Sequence, residues 1–182
     1  MRAVAVPAEL SVDALPVSFE AAYRLHRARV LGWALRYCAG RGDLAEDVAH
    51  DVFLKLHRHF DGLAELDDLG AWLYRVTANE AVSRLRRERS FATKLARLFT
   101  GAEDVPAADH DFERREETLL VERALRGLPD RERVVTCMWA VDGLAQRDIA
   151  KTLGLSEGYV SKLLARAQER LRARGWEVSD DA

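Results

Sequence analysis

The segment from Gln146 to Lys162 restricts the possible folds more than any other part of the chain. Gly154 follows a short apolar helical pattern and permits the left-handed turn that ends a helix. Leu155 comes next and can plug the corner between two helices, and the hydroxyl of Ser156 can cap the second one. The apolar residues expected on the inner face of the first helix are Ile149, Ala150 and Leu153. The spacing therefore predicts a helix-turn-helix.

The second helix of this motif has two different faces. Its inner positions are Val160, Leu163 and Leu164, which recur at helical spacing. The outer positions are polar and partly basic, namely Glu157, Gly158, Tyr159, Ser161, Lys162 and Arg166. A face of this kind near a helix N-terminus suits entry into the major groove of DNA. An ordinary helical hairpin is the alternative.

The first half of the chain also follows a helical period. Between Phe19 and Arg89 the recurring apolar positions are Tyr23, Leu31, Leu35, Val48, Val52, Leu56, Trp72, Leu73 and Val76. The glycines of the 40–42 stretch end one helix, and Asp43 to Glu46 resembles a capping box that opens the next. Pro129 suits the first position of a later helix. Because the alternation typical of strands is absent, the sequence predicts an all-α fold.

Charge is distributed in blocks, although the formal net charge of the chain is only −2. Residues 83–97 are basic, 100–122 are acidic, and 131–175 are basic again. The pattern indicates two parts that face nucleic acid and an acidic connector between them. Solvated surface charge is the other interpretation, and the composition does not separate the two.

Several classes of protein are excluded or disfavoured by the composition. Cys38 and Cys137 lie far apart and in no metal-binding motif, which favours two inert thiols in a reducing compartment. No apolar run is long enough to span a bilayer, and the N-terminal stretch does not resemble a signal peptide, so we expect a cytoplasmic protein. No cofactor, metal site or enzymatic motif is predicted. Glu46, His50, His57 and His59 are interpreted as surface residues, because no second helix supplies a matching metal-ligand set.

Longer motifs carry a resemblance to a known family. Residues 125–133, 142–145 and 165–172, around the helix-turn-helix, resemble the C-terminal domain of extracytoplasmic-function (ECF) sigma factors. Residues 43–55 and 71–79, followed by Leu85 to Arg87, resemble the promoter-melting domain of the same family. The resemblance runs from Ser18 to Gly175 with both motifs in the family's order. It implies an alternative sigma factor that binds core RNA polymerase, recognises the minus-thirty-five and minus-ten promoter elements and initiates transcription.

The resemblance also implies a division of the chain into domains. Residues 1–17 form a flexible N-terminal arm, 18–97 the promoter-melting and polymerase-binding helical domain, and 98–117 a flexible acidic linker. Residues 118–175 form the helix-turn-helix domain, and 176–182 a tail. The acids of the linker, Glu103, Asp104, Asp109 and Asp111, would either mimic a nucleic-acid backbone in the polymerase or belong to a plain solvated tether.

The family's functional residues map onto three sets in this chain. Those expected to bind the upstream promoter element are Arg147, Ser156, Glu157, Gly158, Tyr159, Ser161, Lys162 and Arg166. Those expected to bind and melt the minus-ten element are Trp72, Tyr74, Arg75, Asn79, Arg84, Arg86 and Arg87. Those expected to bind core polymerase are Glu46, Asp47, Asp51, Phe53 and Leu54.

Some of these assignments have alternatives. Trp72 and Tyr74 would stack on unpaired bases, but Trp72 lies among apolar neighbours that favour the core, and the sequence does not decide between the two roles for Tyr74. His50 stands where the family often has Gln, which departs from the family pattern at the polymerase contact. A stand-alone helix-turn-helix regulator is the second functional hypothesis, although it leaves the first domain without a role. An anti-sigma factor is expected as a partner by analogy.

Overall fold

The computed structural model describes residues 18–60, 68–98 and 123–176, and the regular elements in these ranges are all helical. The predicted all-α fold is therefore confirmed. The N-terminal arm, the four linker acids and the tail beyond Trp176 lie outside the described residues.

Helix α1 (Phe19–Tyr37) begins where the Ser18 hydroxyl accepts a hydrogen bond from the Ala21 amide at 3.2 Å. It ends because Ala39 and Gly40 adopt left-handed backbone angles, with φ of 59° and 78°. The Gly40 amide then donates to the Leu35 carbonyl at 2.8 Å, which closes the last turn. The buried residues of α1 are Ala22, His26, Val30, Trp33, Ala34 and Tyr37. Tyr23 from the predicted apolar set stands outside this face and is 37% exposed.

Helix α2 (Gly42–His59) starts one residue before the predicted capping box. Arg41 occupies the N-cap position without a side-chain hydrogen bond, so the prediction that Asp43 caps this helix is wrong. The left-handed turn at Ala39 and Gly40 delivers the chain to Gly42 already in helical geometry, and Asp43 falls in the first turn. A carboxylate there still interacts favourably with the positive end of the helix dipole. The predicted core positions Val48, Val52 and Leu56 are fully buried.

Helix α3 (Leu69–Leu98) completes a three-helix bundle with α1 and α2. The Asp68 carboxylate accepts a hydrogen bond from the Ala71 amide at 2.9 Å and so caps the first turn. The side chains that α3 buries include Leu73, Ala78, Ala81 and Leu85. Trp72 and Val76 are half-buried and pack against the edge of this core.

In the described residues of the C-terminal part, a helical stretch over 123–126 is followed by α4 (Asp130–Thr136), α5 (Gln146–Leu153) and α6 (Glu157–Arg172). Pro129 takes the N-cap position of α4, one residue earlier than the sequence predicts. A π-helical turn, Cys137–Val141, continues α4 and delivers the chain to Asp142. Helix α6 packs on both α4 and α5, and α3 lies against α4 and α5. The two helical parts are therefore in contact.

Candidate nucleic-acid interfaces

The corner between α5 and α6 has the geometry that the sequence predicts. Gly154 has φ 64° and ψ 37°, and the Leu155 amide donates to the Ala150 carbonyl at 2.8 Å. The Ser156 hydroxyl accepts a hydrogen bond from the Tyr159 amide at 3.3 Å. The turn and the cap together fix where α6 begins and how it is oriented.

The inner face of α6 is buried through Val160, Leu163 and Leu164, which attaches the helix to its own domain. Most of the opposite face is exposed, with Glu157, Gly158, Ser161, Lys162 and Arg166 open to solvent. Tyr159 is half-buried, because its ring packs against the core. Arg147 on α5 is 75% exposed at its side chain, and its Nε lies 3.7 Å from Asp148. The predicted upstream-element residues on α6 thus form a polar surface at the start of one helix.

A second cationic surface lies along α3. Arg75, Arg86 and Arg87 are exposed, and Arg75, Asn79 and Arg86 are separated by four and seven residues. Residues with that spacing lie on one side of a helix. The Asn79 amide nitrogen donates to the Arg75 carbonyl on its own helix and to the Thr152 carbonyl of α5, each at 2.9 Å. The polar group that could read a base edge is therefore engaged by the C-terminal part of the chain.

Tyr74 is only 3% exposed and is not presented to solvent. Its ring packs edge-on against Trp33 at a centroid distance of 5.1 Å, and its hydroxyl donates to the Asp142 carboxylate at 2.7 Å. Burial is the main cause that raises the pKa of Tyr74, and nearby Asp142 adds to it. In this arrangement the ring belongs to the core between the two helical parts.

Arg84 makes contacts within the protein that sequence reasoning does not reveal. Its guanidinium pairs with Asp47 and, at 3.3 Å, with Asp51, which ties α3 to α2. The hydrogen bond to Asp47 is the main cause that raises the pKa of Arg84. Arg84, which is predicted to bind DNA, thus forms ion pairs with two residues that are predicted to bind polymerase.

The predicted polymerase surface on α2 is mixed in character. Glu46 and Asp47 are exposed and Leu54 is 39% exposed, whereas Phe53 is 6% exposed. Phe53 lies under the Tyr23 ring, with the ring centroids 4.7 Å apart. An acidic rim therefore lies beside an apolar patch formed by Tyr23 and Leu54.

The residues considered for a metal site do not converge. Across 18–60, 68–98 and 123–176, no group of three or more His, Cys, Asp or Glu side chains is placed to hold an ion. His50, His57 and His59 are exposed. Both cysteines are buried as free thiols, and burial raises the pKa of Cys38 and of Cys137 to about 12. No helix in the described ranges is long and apolar enough to cross a membrane.

Asp142, Arg133 and Arg126 of the C-terminal part contact the first part, and the sequence predicts no role for them. Asp142 accepts hydrogen bonds from Arg36, Tyr37 and Tyr74. Arg133, counted in the basic block, is 5% exposed and donates to the Tyr37 carbonyl at 2.8 Å. Arg126 donates to the Ala39 carbonyl at 3.2 Å. No local pattern marks them, because their partners lie 68 to 106 positions away in the chain.

Comparison with known proteins gives two family matches in the expected order. The family model of sigma-70 region 2 matches residues 22–91, and that of sigma-70 region 4 matches residues 124–173. The ECF RNA polymerase sigma factor SigM of Mycobacterium tuberculosis is 31% identical over 155 residues, covering 85% of this chain and 75% of that protein. The ferric citrate uptake sigma factor FecI of Escherichia coli is 29% identical over 157 residues, covering 84% and 88%.

The fold also matches a solved structure. The sigma factor RpoE in complex with the anti-sigma factor NepR, from Bartonella quintana, superposes with a TM-score of 0.61 at 22% identity. The match covers 85% of this chain and 94% of that one. At this level of identity the likeness concerns the arrangement of helices.

Proposed function

The chain belongs to the ECF sigma factors, alternative sigma factors that initiate transcription with RNA polymerase, and we propose how its surfaces divide that work. Residues 18–97 bind core polymerase and the minus-ten element, residues 118–175 bind the minus-thirty-five element, and residues 98–117 link them. The protein acts in the cytoplasm, where the polymerase is. Catalysis belongs to the polymerase, and the chain contributes binding alone.

The outer face of α6 is the observation that carries this proposal. Gly154 and Ser156 fix the start of the helix, so Ser161 and Lys162 are presented from its first two turns. A helix N-terminus that enters the major groove contacts base edges with such residues. Arg166 lies one turn further along, where a phosphate contact is expected. Tyr159 is half-buried, so its contact is with the sugar-phosphate edge of the groove.

The exposed side of α3 serves the minus-ten element. Arg75, Arg86 and Arg87 supply positive charge for the backbone of the DNA, and Asn79 lies between them with an amide suited to a base edge. Trp72 lies half-buried near the start of the same helix, and its ring would stack on an unpaired base. Arg84 acts differently, because its pairing with Asp47 and Asp51 holds α2 and α3 together.

Core polymerase binds the surface of α2. Glu46 and Asp47 form an exposed acidic rim that steers association with a basic partner, and Leu54 beside Phe53 supplies the apolar anchor. An anti-sigma factor is also proposed as a partner, supported by the likeness to RpoE in its complex with NepR. The acidic linker either follows a basic channel of the polymerase or acts as a tether, as the sequence leaves open.

The test compares two substitutions on α6 in reconstituted transcription with core polymerase. Lys162→Ala is expected to lower initiation from the cognate promoter and to relax discrimination among upstream-element variants, by about 1–3 kcal/mol for a lost base contact. Arg166→Ala is expected to weaken all variants alike and to reduce the salt slope by about one.

Arg58→Ala provides the matched control, because Arg58 is an exposed cation on α2, outside the proposed DNA surfaces. It should leave both the preference and the salt slope unchanged. Full sequence preference in the Lys162→Ala variant would contradict the proposed readout face.

A further inference from the structure

Asp142 lies at the centre of the contact between the two helical parts. Its side chain is 5% exposed, and it accepts hydrogen bonds from Arg36 Nη2 at 2.8 Å, the Tyr37 hydroxyl at 3.1 Å and the Tyr74 hydroxyl at 2.7 Å. Among the described residues, the donors to this carboxylate all belong to α1 and α3 of the first part. A buried carboxylate needs such partners, because each unpaired oxygen would lose its hydration without replacement.

Two arginines next to this cluster reinforce the same contact. The last carbonyls of a helix have no partner within the helix and carry its negative dipole end. Arg133 donates to the Tyr37 carbonyl at 2.8 Å and so caps the end of α1, and Arg126 donates to the Ala39 carbonyl at 3.2 Å in the turn that follows. Specific polar bonds therefore accompany the apolar packing at this contact, because buried apolar residues of both parts belong to one cluster.

The contact between the two parts covers residues of one proposed DNA surface and leaves the other surface exposed. On α3, Asn79 donates to the Thr152 carbonyl and Tyr74 is buried against the second part. On α6, Ser161, Lys162 and Arg166 stay exposed. The arrangement covers part of the minus-ten surface and leaves the upstream surface open.

The closed arrangement is also too small to occupy both promoter elements. Elements about 25 base pairs apart are separated by about 85 Å along the duplex, at about 3.4 Å per base pair. A compact chain of this length has a radius of gyration of about 16 Å. Residues 99–122 can extend to at most about 86 Å, so separation of the two parts supplies the missing reach.

We infer that Asp142 is a latch that holds the free protein in a closed state, which masks part of the minus-ten surface, around Asn79 and Tyr74, but not the upstream one. The biological meaning of the latch rests on the proposed function, whereas the closed state itself is argued from the Asp142 contacts alone. Loss of the carboxylate removes all three hydrogen bonds together and leaves the fold of the second part intact, because the bonds cross between the parts. Water can replace these three hydrogen bonds when the parts separate.

Single-molecule energy transfer in the full-length chain tests the latch. Dyes are placed on Arg58→Cys and Ala165→Cys, both exposed and on different parts. The native Cys38 and Cys137 have no exposed surface, so labelling is confined to the introduced thiols. The parent chain is expected to be mainly compact, and Asp142→Ala should shift the ratio of compact to extended molecules about tenfold towards extended, as loss of a charged hydrogen-bond acceptor predicts.

Tyr37→Phe provides a second route to the same result, because it keeps the ring and removes one donor. A smaller shift in the same direction is expected. Glu169→Gln is the matched control, since it neutralises an exposed carboxylate on α6 and should change nothing. A parent chain that is already extended, or Asp142→Ala and Tyr37→Phe distributions that superpose on the parent with native circular dichroism, would overturn the latch.

The same samples separate the latch from the proposed function. Transcription with core polymerase is measured for the parent and for Asp142→Ala, which should remain active because the open state is the one that initiates. A distance shift without transcription from any promoter by the parent would remove the proposed function and leave the latch standing. Transcription by the parent, with no distance shift in Asp142→Ala, would overturn the latch and leave the proposed function standing.

Discussion

Gly154→Ala should destabilise the helix-turn-helix through the backbone alone. Gly154 has φ 64°, and a Cβ added there would meet no other atom within 4 Å, so no steric clash contributes. The left-handed conformation costs an L-residue about 1–2 kcal/mol. The alanine also stiffens the unfolded chain, which offsets about 0.4–1 kcal/mol of that cost. The expected net loss in the free energy of unfolding is therefore about 1 kcal/mol.

Gly158→Ala offers a matched control four residues away. Gly158 lies in the first turn of α6, it also has nothing within 4 Å of an added Cβ, and its backbone is helical. Alanine there should stabilise the protein by up to about 1 kcal/mol, because it restricts the unfolded chain without strain. The same substitution is thus predicted to lower the free energy of unfolding at Gly154 and to raise it at Gly158, although neither position has a steric clash.

Thermal unfolding followed by circular dichroism measures both variants. For a chain of 182 residues, a change of about 1 kcal/mol corresponds to a shift of about 2–4 °C in the midpoint of the transition. Gly154→Ala should lower the midpoint and Gly158→Ala should raise it or leave it unchanged. A Gly154→Ala variant as stable as the parent would refute the left-handed corner on which the orientation of α6 depends.

Four further predictions concern other parts of the chain. Ser156→Ala removes the acceptor for the Tyr159 amide and should cost about 1 kcal/mol in chemical unfolding, with Ser156→Thr restoring most of it. Asp47→Lys should slow association with core polymerase in surface plasmon resonance, most strongly at low salt, whereas Asp43→Lys, exposed on the same helix, should have a smaller effect; equal rates for both would remove Asp47 from the docking surface. Burial, helped by Arg29, lowers the pKa of His26, so below about pH 6.5 the unfolded chain binds more protons than the folded one. The free energy of unfolding should therefore decrease as the pH is lowered from about 6.5. His26→Gln should flatten this dependence, and an unchanged slope would contradict it. Limited proteolysis should cut first between residues 99 and 111, and early cuts inside the helices instead would contradict the proposed domain boundaries.

The parts of the fold that sequence reasoning identifies are those determined by neighbours along the chain. The corner at Gly154 and the cap at Ser156 each depend on atoms within five residues, so composition and spacing suffice to predict them. The buried positions Val160 and Leu163 follow from the same helical period. Local rules fail at Asp43, where the end of one helix decides where the next begins.

The parts that the sequence does not reveal depend on contacts between distant segments. Arg84 looks like a cation available to phosphate until α2 brings Asp47 and Asp51 beside it. Arg133 likewise reads as surface charge, but the end of α1 supplies a carbonyl that makes its burial favourable. Burial of Asp142 needs two tyrosines from different helices, and no spacing rule can place them together.

Reconstituted transcription on a genomic fragment library tests the central claim most directly. Purified core polymerase is incubated with the fragments in the presence and in the absence of the full-length chain, and the 5′ ends of the transcripts are mapped. The chain should produce a limited set of new start sites that share an upstream and a minus-ten element. Start sites identical with and without the chain, while the protein still binds duplex DNA alone, would show a helix-turn-helix regulator rather than a sigma factor.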